Sequence, residues 1–228
     1  MKAILLSAGY GKRLMPLTKN RPKCLMQIKN KILLDIWIEK LIKVGIKKIL
    51  INVHYKKEQI LSHIKKSKFR SFIKISEEKE LLGTAKTLIK NYNFYKTSNV
   101  MLIHADNLCL DNLKNFLIAH KKRPKKCLMT MLTFDSSSPE NSGIIKIDKE
   151  GIVKRLYEKK KNPPGKLANG AVYILGKNLT KKLKNKNFKD FSNEVIPRFF
   201  GKIFTYKTNE AFIDIGTLKN YKKSQKLL

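Results

Sequence analysis

Short apolar, β-branched runs alternate with amphipathic helical patterns through the first half of this chain, and that alternation leaves few folds open. Residues 3–7 read as a buried strand, residues 48–54 and 72–76 as two more, and residues 99–106 as a fourth that ends on a carboxylate. Helical patterns lie between them. Leu33, Leu34, Ile36, Trp37, Ile38, Leu41 and Ile42 recur at helical spacing within residues 32–44, and Gly45 is placed as a stop. Residues 56–67, 84–90 and 111–120 read as helices, the last with Asp111 as its N-cap. Such β-α repetition with short connections builds a mostly parallel sheet flanked by helices.

The second half is richer in strand. Residues 128–134, 144–148, 153–158 and 171–175 read as strands, with a hairpin turn at Lys149-Glu150-Gly151 and an exposed loop around Pro163-Pro164-Gly165. Helices follow at 179–184 and 191–200, the second capped by Asp190 or Ser192. Strands at 201–206 and 211–215 and a helix at 217–228 complete the reading. The expectation is a single α/β domain over residues 1–228: a three-layer, Rossmann-like sandwich on a predominantly parallel mixed sheet.

Composition removes several function classes. No apolar run has the length of a membrane span, and Met1-Lys2 leads straight into the first strand with no signal-peptide pattern. Cys24, Cys109 and Cys127 are odd in number and lack metal-ligand spacing, so a reducing cytoplasm fits and no disulfide framework is expected. The charge is extreme: 50 Lys+Arg against 17 Asp+Glu, a formal net +33. Nucleic-acid or anionic-membrane binding is the sharp reading of that number. However, only six of the basic residues are arginine, the lysines are scattered, and the abundance of Lys, Asn and Ile matches an AT-rich genome. Reading of base edges relies heavily on Arg, so no specific nucleic acid and no membrane partner is expected.

Chemistry concentrates at strand ends, where open α/β sheets bind ligands. After the first strand comes Ser7-Ala8-Gly9-Tyr10-Gly11-Lys12-Arg13-Leu14-Met15-Pro16-Leu17-Thr18, then Pro22-Lys23. Gly-x-Gly permits a tight turn and close approach of a ligand. Lys12, Arg13 and Lys23 add fixed positive charge, which suits a phosphorylated ligand. The loop is not a Walker A sequence, and Leu14 replaces the third glycine of the dinucleotide fingerprint. Asp106 and Asp214 each follow an apolar run. Either is read as a turn or capping residue, or the two together as carboxylates for one Mg²⁺ on a triphosphate. Their distance in sequence leaves that choice open. His54, His63, His104 and His120 show no ligand spacing and read as packing or surface residues, and Trp37 as core.

Together these segments resemble the sugar-nucleotidyltransferase family, the nucleoside-diphosphate-sugar pyrophosphorylases. The opening matches L-x-A-G-x-G-x-R-[LM]-x-P-L-T followed by Pro-Lys. Leu82-Gly83-Thr84-Ala85, Asp106, Ser142-Gly143-Ile144-Ile145, Glu158-Lys159, Asn169-Gly170-Ala171-Val172-Tyr173 and Phe212-Ile213-Asp214-Ile215-Gly216-Thr217 follow in the family's order. The resemblance implies that a sugar 1-phosphate attacks the α-phosphorus of an NTP, giving an NDP-sugar and pyrophosphate. It implies a nucleotide site of Leu6, Ala8, Gly9, Gly11, Lys12, Arg13, Gly83 and Thr84. It implies a sugar-phosphate site of Lys23, Gly143, Glu158, Lys159 and Asn169, and Mg²⁺ on Asp106 and Asp214. Arg13, Lys23 and Asp106 would carry catalysis. Residues 1–120 would form the nucleotide-binding half and 121–228 the sugar-binding half.

The pattern is most like guanylyltransferases of mannose 1-phosphate or manno-heptose 1-phosphate. Uridylyl or cytidylyl transfer on the same fold (to N-acetylmuramic acid 1-phosphate or phosphocholine) is the alternative, and a non-catalytic nucleotide- or nucleic-acid-binding module a third. The chain stops soon after Asp214, so an appended β-helix domain and acetyltransferase activity are not expected. Departures from the family include Ala105 for Gly before the metal Asp, Lys160 for Pro, and Gly170-Ala171 in place of Ala-Gly.

Overall fold

A computed structural model describes residues 1–227 and divides them into two compact units, each drawn from separated stretches of sequence. The first comprises Met1–Leu81, Ile103–Leu113 and the chain from Glu210 onward. Its strands Lys2–Leu6, Ile49–Val53 and Ile73–Glu77 run parallel, with Ala3 opposite Ile49 and Ile51 opposite Ile75. Ile4, Leu5, Leu50 and Ile51 are fully buried, as a central parallel sheet requires. The helices Leu33–Lys43 and Lys57–Lys66 fall where the apolar spacing predicts. Gly45 ends the first of these at φ 82°, and Ile46 N–H closes onto Leu41 C=O at 2.9 Å. Trp37 on its buried face donates its indole N–H to Asn107 C=O at 2.7 Å, so it serves the core as expected.

Local structure differs from the sequence expectation around Asp106 and just beyond it. The fourth strand, Val100–His104, stops short of Asp106, which stands in a turn; Ala105 N–H bonds Leu6 C=O at 3.1 Å. Beyond the turn, Asn107–Cys109 pairs antiparallel with Phe212–Asp214, placing Asp214 opposite Asn107. Leu113–Lys122 starts too late for Asp111 to be its N-cap.

The second unit comprises Leu82–Leu102 and Lys114–Asn209. Met129–Asp135 pairs antiparallel with Leu167–Leu175 and parallel with Ile203–Lys207, while Gly143–Ile147 and Val153–Glu158 form a hairpin. Asp148 Oδ1 accepts the N–H groups of Glu150 and Ile152, and Gly151 takes φ 73° in the turn. The single helix read over 191–200 is instead a five-residue π turn, Phe191–Val195, followed by a 3₁₀ turn, Ile196–Phe199. Pro197 offers no N–H to an α ladder, which accounts for the break. Asp190, not Ser192, caps it by accepting Asn193 N–H at 2.7 Å. In the first unit, the last helix is shorter than read, Leu218–Ser224, with Thr217 as N-cap; the predicted end at Leu228 lies outside the described residues.

Candidate active site

In the first unit the glycine loop leaves the C-terminal end of the Lys2–Leu6 strand. Gly11 adopts φ 66°, and its carbonyl accepts both Leu14 N–H and the Thr18 hydroxyl at 2.9 Å. A Cβ at Gly11 would come within 2.9 Å of Thr18 Cγ2, whereas a Cβ at Gly9 meets nothing within 4 Å. Gly11 therefore answers to the fold, and Gly9 has open space beside its backbone. Ala8 is buried, Leu6 half-buried, and Lys12 exposed with its ammonium 5.6 Å from the Tyr10 ring centroid.

Lys23 follows Pro22 in a short 3₁₀ turn that is almost wholly buried. Its ammonium lies 2.6 Å from Asp106 Oδ2 and 3.0 Å from Asp214 Oδ1. Arg13 Nη2 reaches Asp214 Oδ2 at 3.4 Å. The Asn107–Cys109/Phe212–Asp214 ladder thus brings two aspartates far apart in sequence onto one lysine. Gly216 makes the approach possible: a Cβ there would stand 2.8 Å from Asp214 Oδ1 and 3.0 Å from Arg13 Nη2. Burial alone would lower the Lys23 pKa, but the Asp106 and Asp214 carboxylates outweigh it and hold it above the ordinary lysine value. Burial likewise opposes ionisation of Asp106, and the Lys23 ammonium, with His104, overcomes it and keeps its pKa below the usual carboxylate range. Both groups are charged at neutral pH. Asp214 does not cap the last helix, since Thr217 does.

Among the described residues no group of three or more His, Cys, Asp or Glu could hold a metal. Two carboxylates, each about 40% exposed, are nevertheless the donor set that suits Mg²⁺, which keeps waters and shares its shell with substrate phosphates. The residues present fit such an ion. The three cysteines are buried free thiols, with burial pushing Cys24 up to about 12 and Cys109 up to about 11, so they are poor nucleophiles.

A buried hydrogen-bonded chain that no sequence motif announces lies behind the loop. Asn52 Oδ1 accepts Ser7 N–H at 2.8 Å, and Asn52 Nδ2 donates to Glu78 Oε1 at 3.0 Å. Both side chains are about 3% exposed. His54, read as ordinary, bonds Glu78 C=O through Nδ1 at 3.0 Å and the Tyr10 hydroxyl through Nε2 at 3.2 Å. The visible signal was Asn52 itself, a polar residue inside the apolar run Ile49-Leu50-Ile51-Asn52-Val53.

In the second unit, Gly83 sits at φ 91°, ψ 164° before the Thr84–Lys90 helix, and a Cβ there would be 2.6 Å from Lys189 C=O. The Thr84 hydroxyl accepts Phe191 N–H at 2.7 Å. Gly143 faces Glu158, whose Oε2 would be 2.6 Å from an added Cβ. Burial raises the Glu158 pKa, Lys159 opposes that, and Lys159 Nζ stands 3.9 Å from Glu158 Oε1. Asn169 spends its amide on a bulge: Oδ1 accepts Ala171 N–H at 2.9 Å and Nδ2 donates to Tyr173 Oη at 2.8 Å. Ala171 takes φ 52°, the left-handed conformation that favours glycine, and Gly170 does not. The reversed Gly170-Ala171 order therefore leaves an alanine at the strained position.

The chain matches the Nucleotidyl transferase family over residues 2–228. It is 31% identical over 180 residues to the bifunctional protein GlmU of Methanocaldococcus jannaschii, covering 78% of this chain but 41% of that protein. It is 29% identical to D-glycero-alpha-D-manno-heptose 1-phosphate guanylyltransferase of Aneurinibacillus thermoaerophilus, over 100% of this chain and 98% of that one. The crystal structure of HddC from Yersinia pseudotuberculosis shares the fold at a TM-score of 0.84 and 23% identity, covering 99% and 98% of the two chains. The same protein complexed with GMP-PN gives 0.82. The likeness establishes an α/β fold on a mostly parallel mixed sheet, and no helix among the described residues is long and apolar enough to cross a membrane. Members of this family generally work with a divalent metal. A glycine loop, a buried lysine shared by two aspartates and a match over nearly every residue lead to one conclusion: this chain belongs to the nucleotidyl transferase family.

Proposed function

We propose that the chain transfers a guanylyl group from GTP to a manno-configured sugar 1-phosphate, of mannose or manno-heptose, and releases pyrophosphate. The observation that carries this reading is the convergence of the Asp106 and Asp214 carboxylates on the Lys23 ammonium, at 2.6 and 3.0 Å. The guanylyltransferase relative of nearly equal length supports the choice of base and sugar. The open space at Gly9 admits a triphosphate against the backbone. Arg13, 57% exposed, meets the charge on the leaving pyrophosphate. Lys23 holds the attacking phosphate to the α-phosphate, which removes their mutual repulsion and sets them in line. The new bond joins a sugar-phosphate oxygen to the α-phosphorus, and the bond from that phosphorus to the bridging oxygen breaks. Asp106 and Asp214 would hold Mg²⁺, which when bound supplies further neutralisation of the triphosphate. Leu6, Ala8, Gly11, Lys12, Gly83 and Thr84 complete the nucleotide site. Gly143, Glu158, Lys159 and Asn169 take the sugar and its phosphate, with Glu158 accepting from hydroxyls. Residues 1–120 serve the nucleotide and 121–228 the sugar, in the cytoplasm. A matrix of four NTPs against mannose, manno-heptose, glucose and N-acetylmuramic acid 1-phosphates and phosphocholine tests the reading. The largest kcat/KM is expected for GTP with a manno-configured sugar; a preference for UTP or CTP would reject it.

A further inference from the structure

Lys23 does more than the substrate-binding role requires. Its side chain is 8% exposed, and its ammonium already spans the two carboxylates. Asp214 is further occupied, with Oδ1 accepting Gly216 N–H at 2.8 Å and Oδ2 facing Arg13 at 3.4 Å. Two cations thus match two carboxylates, so the cluster carries no net negative charge to draw a divalent ion. Such an ion takes oxygen ligands at about 2.0–2.1 Å. Held by both carboxylates, it would stand within a few ångströms of an ammonium that bonds the same groups. We propose that Lys23 is the built-in counter-cation of the Asp106–Asp214 pair and competes with the divalent ion for it, so that the ion loads together with the triphosphate, whose oxygens draw the ammonium away. The triphosphate supplies the negative charge that the protein cluster lacks. The inference rests on Asp106 and Asp214 being the metal ligands.

Mn²⁺ binding to the nucleotide-free protein, followed by electron paramagnetic resonance, tests it in wild type, Lys23→Gln, Lys23→Met and Lys23→Gln/Asp106→Asn. Both single variants are expected to bind Mn²⁺ roughly tenfold tighter or more, because a neighbouring like charge is gone, and the added Asp106→Asn is expected to cancel the gain. Circular dichroism checks that each variant folds. A second measurement needs no variant: acetylation of the Lys23 amine in wild type, mapped by mass spectrometry, is expected to rise as Mn²⁺ is added to saturation. Equal or weaker Mn²⁺ binding by folded Lys23 variants, or acetylation that stays flat, overturns the competition. Tight binding that survives Asp106→Asn instead overturns the metal-ligand assignment beneath it.

Discussion

Replacing Gly9 by alanine separates what the glycine loop does for the fold from what it does for a ligand. No heavy atom lies within 4 Å of a Cβ built at Gly9, and its φ is outside the left-handed range. Alanine at such a position stabilises a protein by about 0.4–1 kcal/mol through the unfolded chain. A neutral to slightly positive effect in urea unfolding is therefore expected. Two other glycines set the scale. Gly11→Ala meets a φ of 66° and a side-chain methyl at 2.9 Å, which costs about 1–2 kcal/mol. Gly83→Ala meets φ 91° and a backbone carbonyl at 2.6 Å that has no rotamer to yield; conformation and overpacking each contribute about 1–3 kcal/mol. If the open space beside Gly9 receives the nucleotide, its methyl group overpacks the complex alone, by about 1–3 kcal/mol. That corresponds to a loss of roughly 5- to 150-fold in kcat/KM for the NTP. The assays are urea unfolding and pyrophosphate release. Wild-type kcat/KM in Gly9→Ala, or a stability loss above about 1 kcal/mol, would refute the assignment of that space to the substrate.

Ala171→Gly is expected to stabilise by about 0.5–1 kcal/mol, the left-handed strain less the added freedom of the unfolded chain; a lower urea midpoint would contradict it. His120 bonds Thr130 Oγ1 at 2.9 Å, and burial, then Arg123, lowers its pKa from 6.5 to about 4. The unfolded imidazole binds a proton over that interval and the native one does not, so stability falls as pH drops, by about 1.4 kcal/mol per unit between roughly pH 6.5 and 4. Chemical unfolding at a series of pH values should show this slope, and His120→Gln should flatten it. Glu78→Ala leaves the Asn52 amide without its carboxylate and should cost about 1–3 kcal/mol, with Glu78→Gln milder; equal unfolding midpoints for Glu78→Ala and wild type would remove this hydrogen-bonded chain from the account.

The legible parts of the sequence were those governed by local rules. Helical spacing and Gly45 located the Leu33–Lys43 helix almost to the residue, and Gly83 marked the start of Thr84–Lys90. Arg13 and Lys23 were visible because a loop next to a strand end concentrates charge. What stayed hidden depends on long-range pairing. No local signal says that Phe212–Asp214 lies against Asn107–Cys109, and only that ladder turns two ambiguous aspartates into partners of one lysine. The π turn at Phe191–Val195 was hidden because apolar spacing does not distinguish helix types; the missing N–H of Pro197 is the local signal for a break. Asn169 was legible as a candidate but not as the residue that shapes a bulge around Ala171.

The most direct test of the account is pyrophosphate release from GTP and mannose 1-phosphate or manno-heptose 1-phosphate, with and without Mg²⁺, by wild type and Asp106→Asn. Release that requires the sugar phosphate and Mg²⁺, and that falls by about 10³-fold or more in Asp106→Asn, is the predicted result. Full activity in Asp106→Asn, or salt-sensitive polyanion binding with no release from any NTP and sugar-phosphate pair, would contradict it.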